Sequence, residues 1–117
     1  MLKDAAIDHV FVACGYTDLR QGIDGLVNLV QAHFSLDPYS NTLFLFCGRR
    51  TDRIKALYWE GDGFLLLYKR LETGRFQWPR NGEELRNVTP QQYRWLMEGL
   101  AVEQKKVIRN VPGYSSV

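Results

Sequence analysis

The stretch from Gly48 to Arg80 constrains the fold more than any other part of the chain, because two turn signals divide it into three short runs. Asp62-Gly63 suits the positive φ angles of a tight hairpin turn, and Thr73-Gly74 is a weaker signal of the same kind. The flanking runs are rich in leucine, aromatic and β-branched residues, which favour strands. The pattern predicts a three-stranded antiparallel meander.

Turns at these two dipeptides sort the side chains of the meander onto two faces. They pair Tyr58 with Leu67 across the first turn and Lys69 with Trp78 across the second. One face is apolar and is predicted to lie against a core; it holds Ile54, Ala56, Tyr58, Leu65, Leu67, Leu71, Phe76 and Trp78, with Lys69 as a basic exception. The other face is cationic with apolar side chains between the cations; it holds Arg53, Lys55, Arg70, Arg75 and Gln77, with Leu57, Trp59, Leu66 and Tyr68.

Charge is distributed unevenly along the chain, although the formal net charge is only +2. The stretch from Gly48 to Arg80 holds eight basic and four acidic residues, a net charge of +4, whereas the remainder holds seven basic and nine acidic residues, a net charge of −2. A basic region on a nearly neutral molecule indicates a local anionic partner rather than an effect on solubility.

The N-terminal half predicts two strands and a helix. The runs His9 to Cys14 and Leu43 to Cys47 are short and apolar, as expected for strands, and the second is continuous enough for a strand buried on both faces or covered by the helix. Leu19 to Phe34 has the apolar spacing of a helix. Thr17 or Asp18 is the predicted N-cap of this helix.

The C-terminal part predicts a second helix. Pro79 is expected to end the third strand of the meander, and Arg80 to Val88 is predicted to be a polar linker. Thr89-Pro90-Gln91-Gln92 then supplies an N-cap, a proline in the first helical position and the glutamine of a capping box.

These elements predict one α+β domain over residues 1–117, with an ordered core at about 9–100 and a loose tail at 101–117. We expect a mostly antiparallel sheet of about five strands with two principal helices on one side. The chain has no apolar run near the roughly 20 residues that span a bilayer and no signal-peptide pattern, so a cytoplasmic location is predicted.

The cysteines and histidines indicate no metal or redox chemistry. Cys14 and Cys47 each end an apolar run outside a Cys-x-x-Cys motif, so we expect two buried reduced thiols. His9 and His33 have no cysteine or carboxylate partner at metal-ligand spacing. Neither a metal site nor a cofactor is predicted.

Four motifs follow one another along the chain: DLRQGIDGL, GRRTDRIK, GDG and YKRLETGRFQWP. With these motifs in this order, residues 9 to 100 resemble the small accessory protein encoded by the second reading frame of the sixty-six family of bacterial insertion sequences, often labelled TnpB. That family is distinct from the RNA-guided nuclease that shares the label. The resemblance implies a cytoplasmic bacterial protein that assists transposition, while strand transfer belongs to a separate, larger transposase.

Three interpretations of the basic stretch remain open at this point. The first is a solvated sheet face whose arginines only keep the protein soluble. They can also hold DNA, because arginine binds phosphate through a planar fork and Trp59 or Tyr68 can stack on an unpaired base. The third interpretation is an interface for the transposase or another element-encoded protein. The candidate contact residues for DNA or a protein partner are Arg49, Arg50, Arg53, Lys55, Trp59, Arg70 and Arg75.

A nuclease is the least favoured class. Two-metal phosphoryl chemistry needs converging carboxylates, and the candidates would be Asp18, Asp24, Asp52 and Asp62. Asp18 has a capping role open to it and Asp62 a turn role, so we predict no enzyme. The favoured function is non-catalytic assistance to transposition, with transposon-end DNA, the transposase or other element-encoded proteins as partners.

Overall fold

The structure, a computed structural model, describes residues 7–104 of the chain. Its elements follow in the order β1 (His9–Ala13), α1 (Ile23–Asn28), β2 (Thr42–Cys47), β3 (Arg53–Trp59), β4 (Phe64–Arg70), β5 (Leu85–Val88) and α2 (Pro90–Met97). The helix α1 continues directly into a π-helical turn at Leu29–His33. Within the described range, no helix is long and apolar enough to cross a membrane.

The strands form one sheet in the order β4-β3-β2-β1-β5. Strands β1 and β2 are parallel, which is possible because the connection through α1 is long enough to return the chain to the same end of the sheet. The other three neighbouring pairs are antiparallel. The prediction of a mostly antiparallel five-stranded sheet with two helices is therefore confirmed.

The predicted hairpin forms, but its turn lies one residue earlier than expected. Gly61, with φ +94°, and Asp62 are the two central residues, and the Glu60 N–H donates to Gly63 O at 2.9 Å. Tyr58 therefore pairs with Leu65 instead of Leu67. A shift of two residues in the pairing leaves each side chain on its predicted face, because strand side chains alternate with a period of two.

The predicted third strand of the meander is wrong. Residues 75–78 form no strand; the Phe76 N–H donates to Thr51 O at 2.8 Å, and the indole of Trp78 donates to Ala13 O at 2.8 Å. The segment therefore packs its two aromatic side chains onto the sheet instead of extending it. The fifth strand is β5, which lies in the predicted polar linker and pairs with β1.

The two helices lie on opposite faces of the sheet, so their predicted placement on one side is wrong. One core cluster joins Leu43 and Leu45 of β2 to Leu96 of α2, and the other joins Phe44 of β2 to Leu26 of α1. All six residues of β2 are buried. A central strand that is apolar on both faces needs a cover on each of them, and one helix supplies each cover.

This arrangement also changes the predicted cationic face. The helix α1 packs over its middle, where Leu57 is fully buried and Leu66 is half-buried. Only the part of the face around the start of β3 and the end of β4 stays accessible. The cationic surface is therefore confined to one end of the sheet.

The N-terminus of α2 matches its prediction, whereas that of α1 does not. The Thr89 side chain accepts from the Gln92 N–H at 3.0 Å, and the Gln92 side chain accepts from the Thr89 N–H at 2.8 Å. The N-cap of α1 is Gly22, which has no side chain to cap with. The predicted cap Asp18 instead accepts from the backbone and side chain of Arg20.

We expect Thr89→Ala to lower the free energy of unfolding by about 1 kcal/mol, because it leaves a first-turn N–H of α2 without its acceptor. Urea denaturation followed by circular dichroism measures the change. Gln91→Ala is the matched control, since this exposed residue lies in the same turn outside the capping box. Equal stability of the two variants would contradict a stabilising role for the cap.

The packed part of the chain extends beyond residue 100. Val102 is buried in the same cluster as Leu96, its carbonyl accepts from the Gln92 side chain at 3.2 Å, and Glu103 forms an ion pair with Arg86. The rest of the predicted loose tail, residues 105–117, lies outside the described residues.

Candidate nucleic-acid interface

Several strand ends and two loops meet at one end of the sheet. The carboxyl ends of β1 and β2 lie there because these strands are parallel, and antiparallel pairing brings the start of β3 and the end of β4 to the same place. Together with the loops that follow β1 and β2 they line a cleft of about 970 Å³, which we call the basic cleft. Its cationic and aromatic lining residues are Tyr16, Arg20, Arg49, Arg50, Arg53, Lys55 and Tyr68.

Arg80 joins the two loops beside the basic cleft. Its guanidinium donates to Gly15 O at 2.7 Å in the first loop, and to Gly48 O at 2.9 Å and Arg49 O at 3.4 Å in the second. Carbonyl groups at the carboxyl ends of strands need donors, and a guanidinium offers five in a fixed plane. The Arg80 side chain thus links the loop after β1 to the loop after β2.

Tyr16 stands at the mouth of the basic cleft with two cations against its ring. The guanidinium carbon of Arg80 lies 4.3 Å from the ring centroid, and that of Arg49 lies 4.9 Å from it. The tyrosine is nevertheless 61% exposed. The contacts orient both guanidinium groups through cation–π attraction, while the residue as a whole stays open to solvent.

Lys55 and Arg53 of β3 also line the basic cleft. The Lys55 ammonium donates to Gln21 O at 3.0 Å and lies 5.8 Å from the ring centroid of Tyr68. Arg53 Nε donates to a carboxylate oxygen of Asp52 at 2.8 Å. Arg53 is therefore partly neutralised, whereas Lys55 forms no ion pair with an acid in residues 7–104, and its contacts are a neutral carbonyl and a ring.

The acids near the basic cleft do not cancel its charge. Arg49, Arg50 and Arg70 form no ion pair with any acid in residues 7–104, and Arg70 lies directly opposite Arg53 in the strand register. Asp18 is paired with Arg20 at 2.9 Å, and this hydrogen bond lowers the pKa of its carboxyl to about 2. Asp18 therefore mainly neutralises Arg20 at neutral pH, and its weaker Coulombic attraction to Lys55 involves no ion pair.

The predicted contact residues are divided by the fold. The four between positions 49 and 55 line the basic cleft, and Arg70 stands beside it. Trp59 lies at the far end of β3, where its ring centroid is 5.0 Å from that of Tyr39 and 4.9 Å from that of Phe64. The Arg75 backbone lies beside Gly99 at the end of α2, on the opposite face of the sheet. Their role in binding stays a prediction.

Sequence reasoning missed three residues at this site, Tyr16, Arg20 and Arg80. Tyr16 lies just beyond a strand, where the pattern indicated only a stop, and Arg80 was assigned to the start of a polar linker. The available signal was the position of Arg80 directly after Trp78 and Pro79 in the last motif.

The two thiols are structural. Cys14 and Cys47 are free and buried, which confirms their prediction. Burial raises the pKa of Cys47 to about 11 and also raises that of Cys14. Because the thiolate is the nucleophile, both groups stay unreactive near neutral pH.

The four aspartates considered for metal chemistry do not form a site. Asp52 precedes β3 and Asp62 follows it, so the length of the strand separates them, and Asp18 is held by Arg20. Among the described residues, no three His, Cys, Asp or Glu side chains come together in a way that could hold a metal ion.

Comparisons with known proteins agree with the motif resemblance. The family model described as "IS66 Orf2 like protein" matches residues 8–107. Two similar proteins from Sinorhizobium fredii (strain NBRC 101917 / NGR234) are both called uncharacterized: y4jC is 36% identical over 104 residues, covering 86% of this chain and 89% of its own, and y4hO is 35% identical over 100 residues, covering 86% and 87%. No solved structure matches.

Proposed function

Because the chain belongs to the family of IS66 Orf2-like proteins, a family associated with the transposition of bacterial insertion sequences, we propose that it assists transposition by holding DNA in the basic cleft. The proposed role is non-catalytic and cytoplasmic. The chemistry of strand transfer is left to a separate transposase.

The observation that carries this proposal is the group of unneutralised cations around one cleft. Arg49, Arg50 and Arg70 form no ion pair with an acid in residues 7–104, and neither does Lys55, whose ammonium donates to a carbonyl. Like charges that line one cleft repel one another, so an anion bound among them is favoured. Guanidinium groups bind phosphate oxygens in pairs, and such contacts fix the position of DNA without reading its sequence.

The site chemistry supports a binding role over a catalytic one. The thiol of Cys47 below the cleft is buried with a raised pKa, and the carboxylates of Asp18 and Asp52 each accept from a neighbouring arginine. A general base or a metal ligand in the cleft would need a carboxylate free of such a partner. The cleft therefore offers cations and aromatic rings to an anionic ligand.

A second candidate function is recruitment of the transposase, and the cluster of Tyr39, Trp59 and Phe64 favours it. The three rings lie within 5.2 Å of one another between centroids, and Tyr39 is 50% exposed. Exposed aromatic clusters are typical anchors of protein interfaces. Co-purification with the transposase that is lost in Trp59→Ala, with DNA binding retained, would select this function for the far end of the sheet.

A salt titration tests DNA binding in the cleft. Four to five phosphate contacts predict that log affinity for duplex DNA of the element ends falls with log salt at a slope of about −4, and Arg49→Gln/Arg50→Gln is expected to reduce that slope by about 2. Fluorescence anisotropy with labelled DNA, with and without transposase, provides the measurement.

The matched control for this titration is Lys69→Gln/Arg94→Gln. It removes the same charge from two exposed cations on the side of the sheet that α2 covers. Its slope should stay close to that of the unchanged protein. A flat salt response, or an equal loss in both double variants, would contradict binding in the cleft.

A further inference from the structure

Exposed aromatic rings are concentrated in the basic cleft. The exposed large hydrophobic residues of the described chain are Tyr16, Tyr39, Tyr68 and Leu100, and two of these four line the cleft. Tyr16 is 61% exposed and Tyr68 is 54% exposed. Single exposed apolar residues are ordinary on protein surfaces, but two accessible rings in one cationic cleft form a chemically distinct surface.

Each of the two rings has a cation beside it. Arg49 and Arg80 lie over Tyr16, and the Lys55 ammonium lies near Tyr68. A nucleotide carries a negative phosphate and a flat base on one short unit. A surface that places a cation next to a ring can contact both parts of that unit at once.

The exposure of Tyr16 is fixed by the backbone on either side of it. The Gly15 N–H donates to Pro79 O at 3.0 Å, and the Thr17 N–H donates to Cys47 O at 2.9 Å. Gly15 has φ +84°, and an added Cβ would lie 3.3 Å from the carbonyl oxygen of Gly82. Because the flanking residues are anchored, presenting the ring to a ligand requires little ordering at the time of binding.

Tyr16 also borders a second cleft of about 670 Å³, which His33, Phe34 and Glu83 help to line. A base that stacks on Tyr16 has space on that side while its phosphate stays among the arginines. The faces of paired bases in a duplex are covered by their neighbours, so only unpaired bases can stack on a protein ring.

We propose that the basic cleft takes unpaired nucleotides, with Tyr16 and Tyr68 as stacking platforms, so that the preferred ligand is single-stranded DNA. This inference rests on the proposed function and specifies the form of DNA that the same site holds. The phosphate contacts alone would accept either form of DNA. Stacking on the two rings makes single-stranded DNA the preferred form.

Three labelled DNA molecules of about 15 nucleotides test the inference: a mixed-sequence strand, its duplex, and a strand of equal charge with abasic sites. Anisotropy at one salt concentration is expected to show tightest binding to the intact strand and at least about 25-fold weaker binding to the abasic strand, which offers neither ring a base. Tyr16→Ala should lower affinity for the intact strand by about 5- to 100-fold, whereas Tyr16→Phe should retain most of it.

Tyr39→Ala is the matched control, because it removes an equally exposed tyrosine at the far end of the sheet. Equal binding of intact and abasic strands, or equal effects of Tyr16→Ala and Tyr39→Ala, would overturn the inference. Salt-dependent duplex binding in that case would still support the proposed function. Absence of binding to every DNA molecule would instead refute the proposed function itself. The abasic comparison uses the unchanged protein, so it decides the question even if a variant fails to fold.

Discussion

Replacing Arg80 with alanine is expected to lower the free energy of unfolding by about 3 kcal/mol, because hydrogen bonds to a charged group contribute about 1.5 to 3 kcal/mol each and one of the three acceptors, the Gly48 carbonyl, is buried. The acceptors are the carbonyls of Gly15, Gly48 and Arg49, in two loops far apart in the sequence. Gly48 is buried, so water reaches its carbonyl poorly. Urea denaturation followed by tryptophan fluorescence measures the change.

Two further variants show whether the planar geometry of the Arg80 guanidinium or its charge is responsible for the expected loss of stability. Arg80→Lys keeps the charge but replaces the planar fork with a single ammonium, so it should recover only part of the stability. Arg75→Ala removes an exposed arginine and should change the free energy of unfolding by less than about 0.5 kcal/mol. If the variants at positions 75 and 80 are equally stable, Arg80 does not join the loops as described.

Arg80→Ala should also disturb the geometry of the basic cleft. Without the Arg80 guanidinium, the loop that carries Tyr16 loses its side-chain link to the loop that carries Arg49 and Arg50, and the backbone bond from the Thr17 N–H to Cys47 O still joins it to the end of β2. Since the proposed DNA contacts come from both loops, affinity is expected to fall although Arg80 itself is not one of them. The stability effect and the binding effect share one cause.

The faces of the central hairpin could be predicted from the sequence because only the alternation of its side chains mattered. The turn at Gly61 and Asp62 moved the pairing by two residues, and a shift of two preserves every face. The capping box at Thr89 was equally predictable, since all its atoms lie within four residues. Local patterns were sufficient wherever the interactions were local.

The remaining fold depended on contacts between distant residues. The segment around Trp78 resembles a strand in composition, but its indole bonds to Ala13, and no local pattern indicates that partner. Conversely, β5 (Leu85–Val88) carries two polar residues and became a strand because β1 offered it a free edge. The face that each helix covers was likewise decided by the two-sided burial of β2.

The candidate site likewise divides into residues that local sequence predicted and residues that only the folded chain brings together. The cations from Arg49 to Lys55 are close in sequence, and their common position followed from the bend after β2 and the start of β3. Tyr16 and Arg80 meet across more than sixty positions, which only the packed structure brings together. The predicted open cationic face became a cleft because α1 covers its middle.

Trp78 holds the segment between β4 and β5 against the sheet. Its side chain is 5% exposed, and its indole N–H donates to Ala13 O at 2.8 Å. Phe76, two residues earlier, is 2% exposed in the same core cluster. These two rings fill the space on the α2 side of the sheet that a helix would otherwise have to cover.

Trp78→Ala is therefore expected to lower the free energy of unfolding by about 3 to 5 kcal/mol through the cavity it leaves, the largest effect of any substitution considered for this chain. Trp78→Phe keeps most of the apolar volume and loses the hydrogen bond, so a loss of about 1 to 2 kcal/mol is expected. Urea denaturation followed by circular dichroism separates the two, and amide exchange at Phe76 should accelerate in both, because its N–H donates to Thr51 O across the same contact. Equal stability of the alanine variant and the unchanged protein would show that this segment does not pack on the sheet and that the core on the α2 side is closed by other residues.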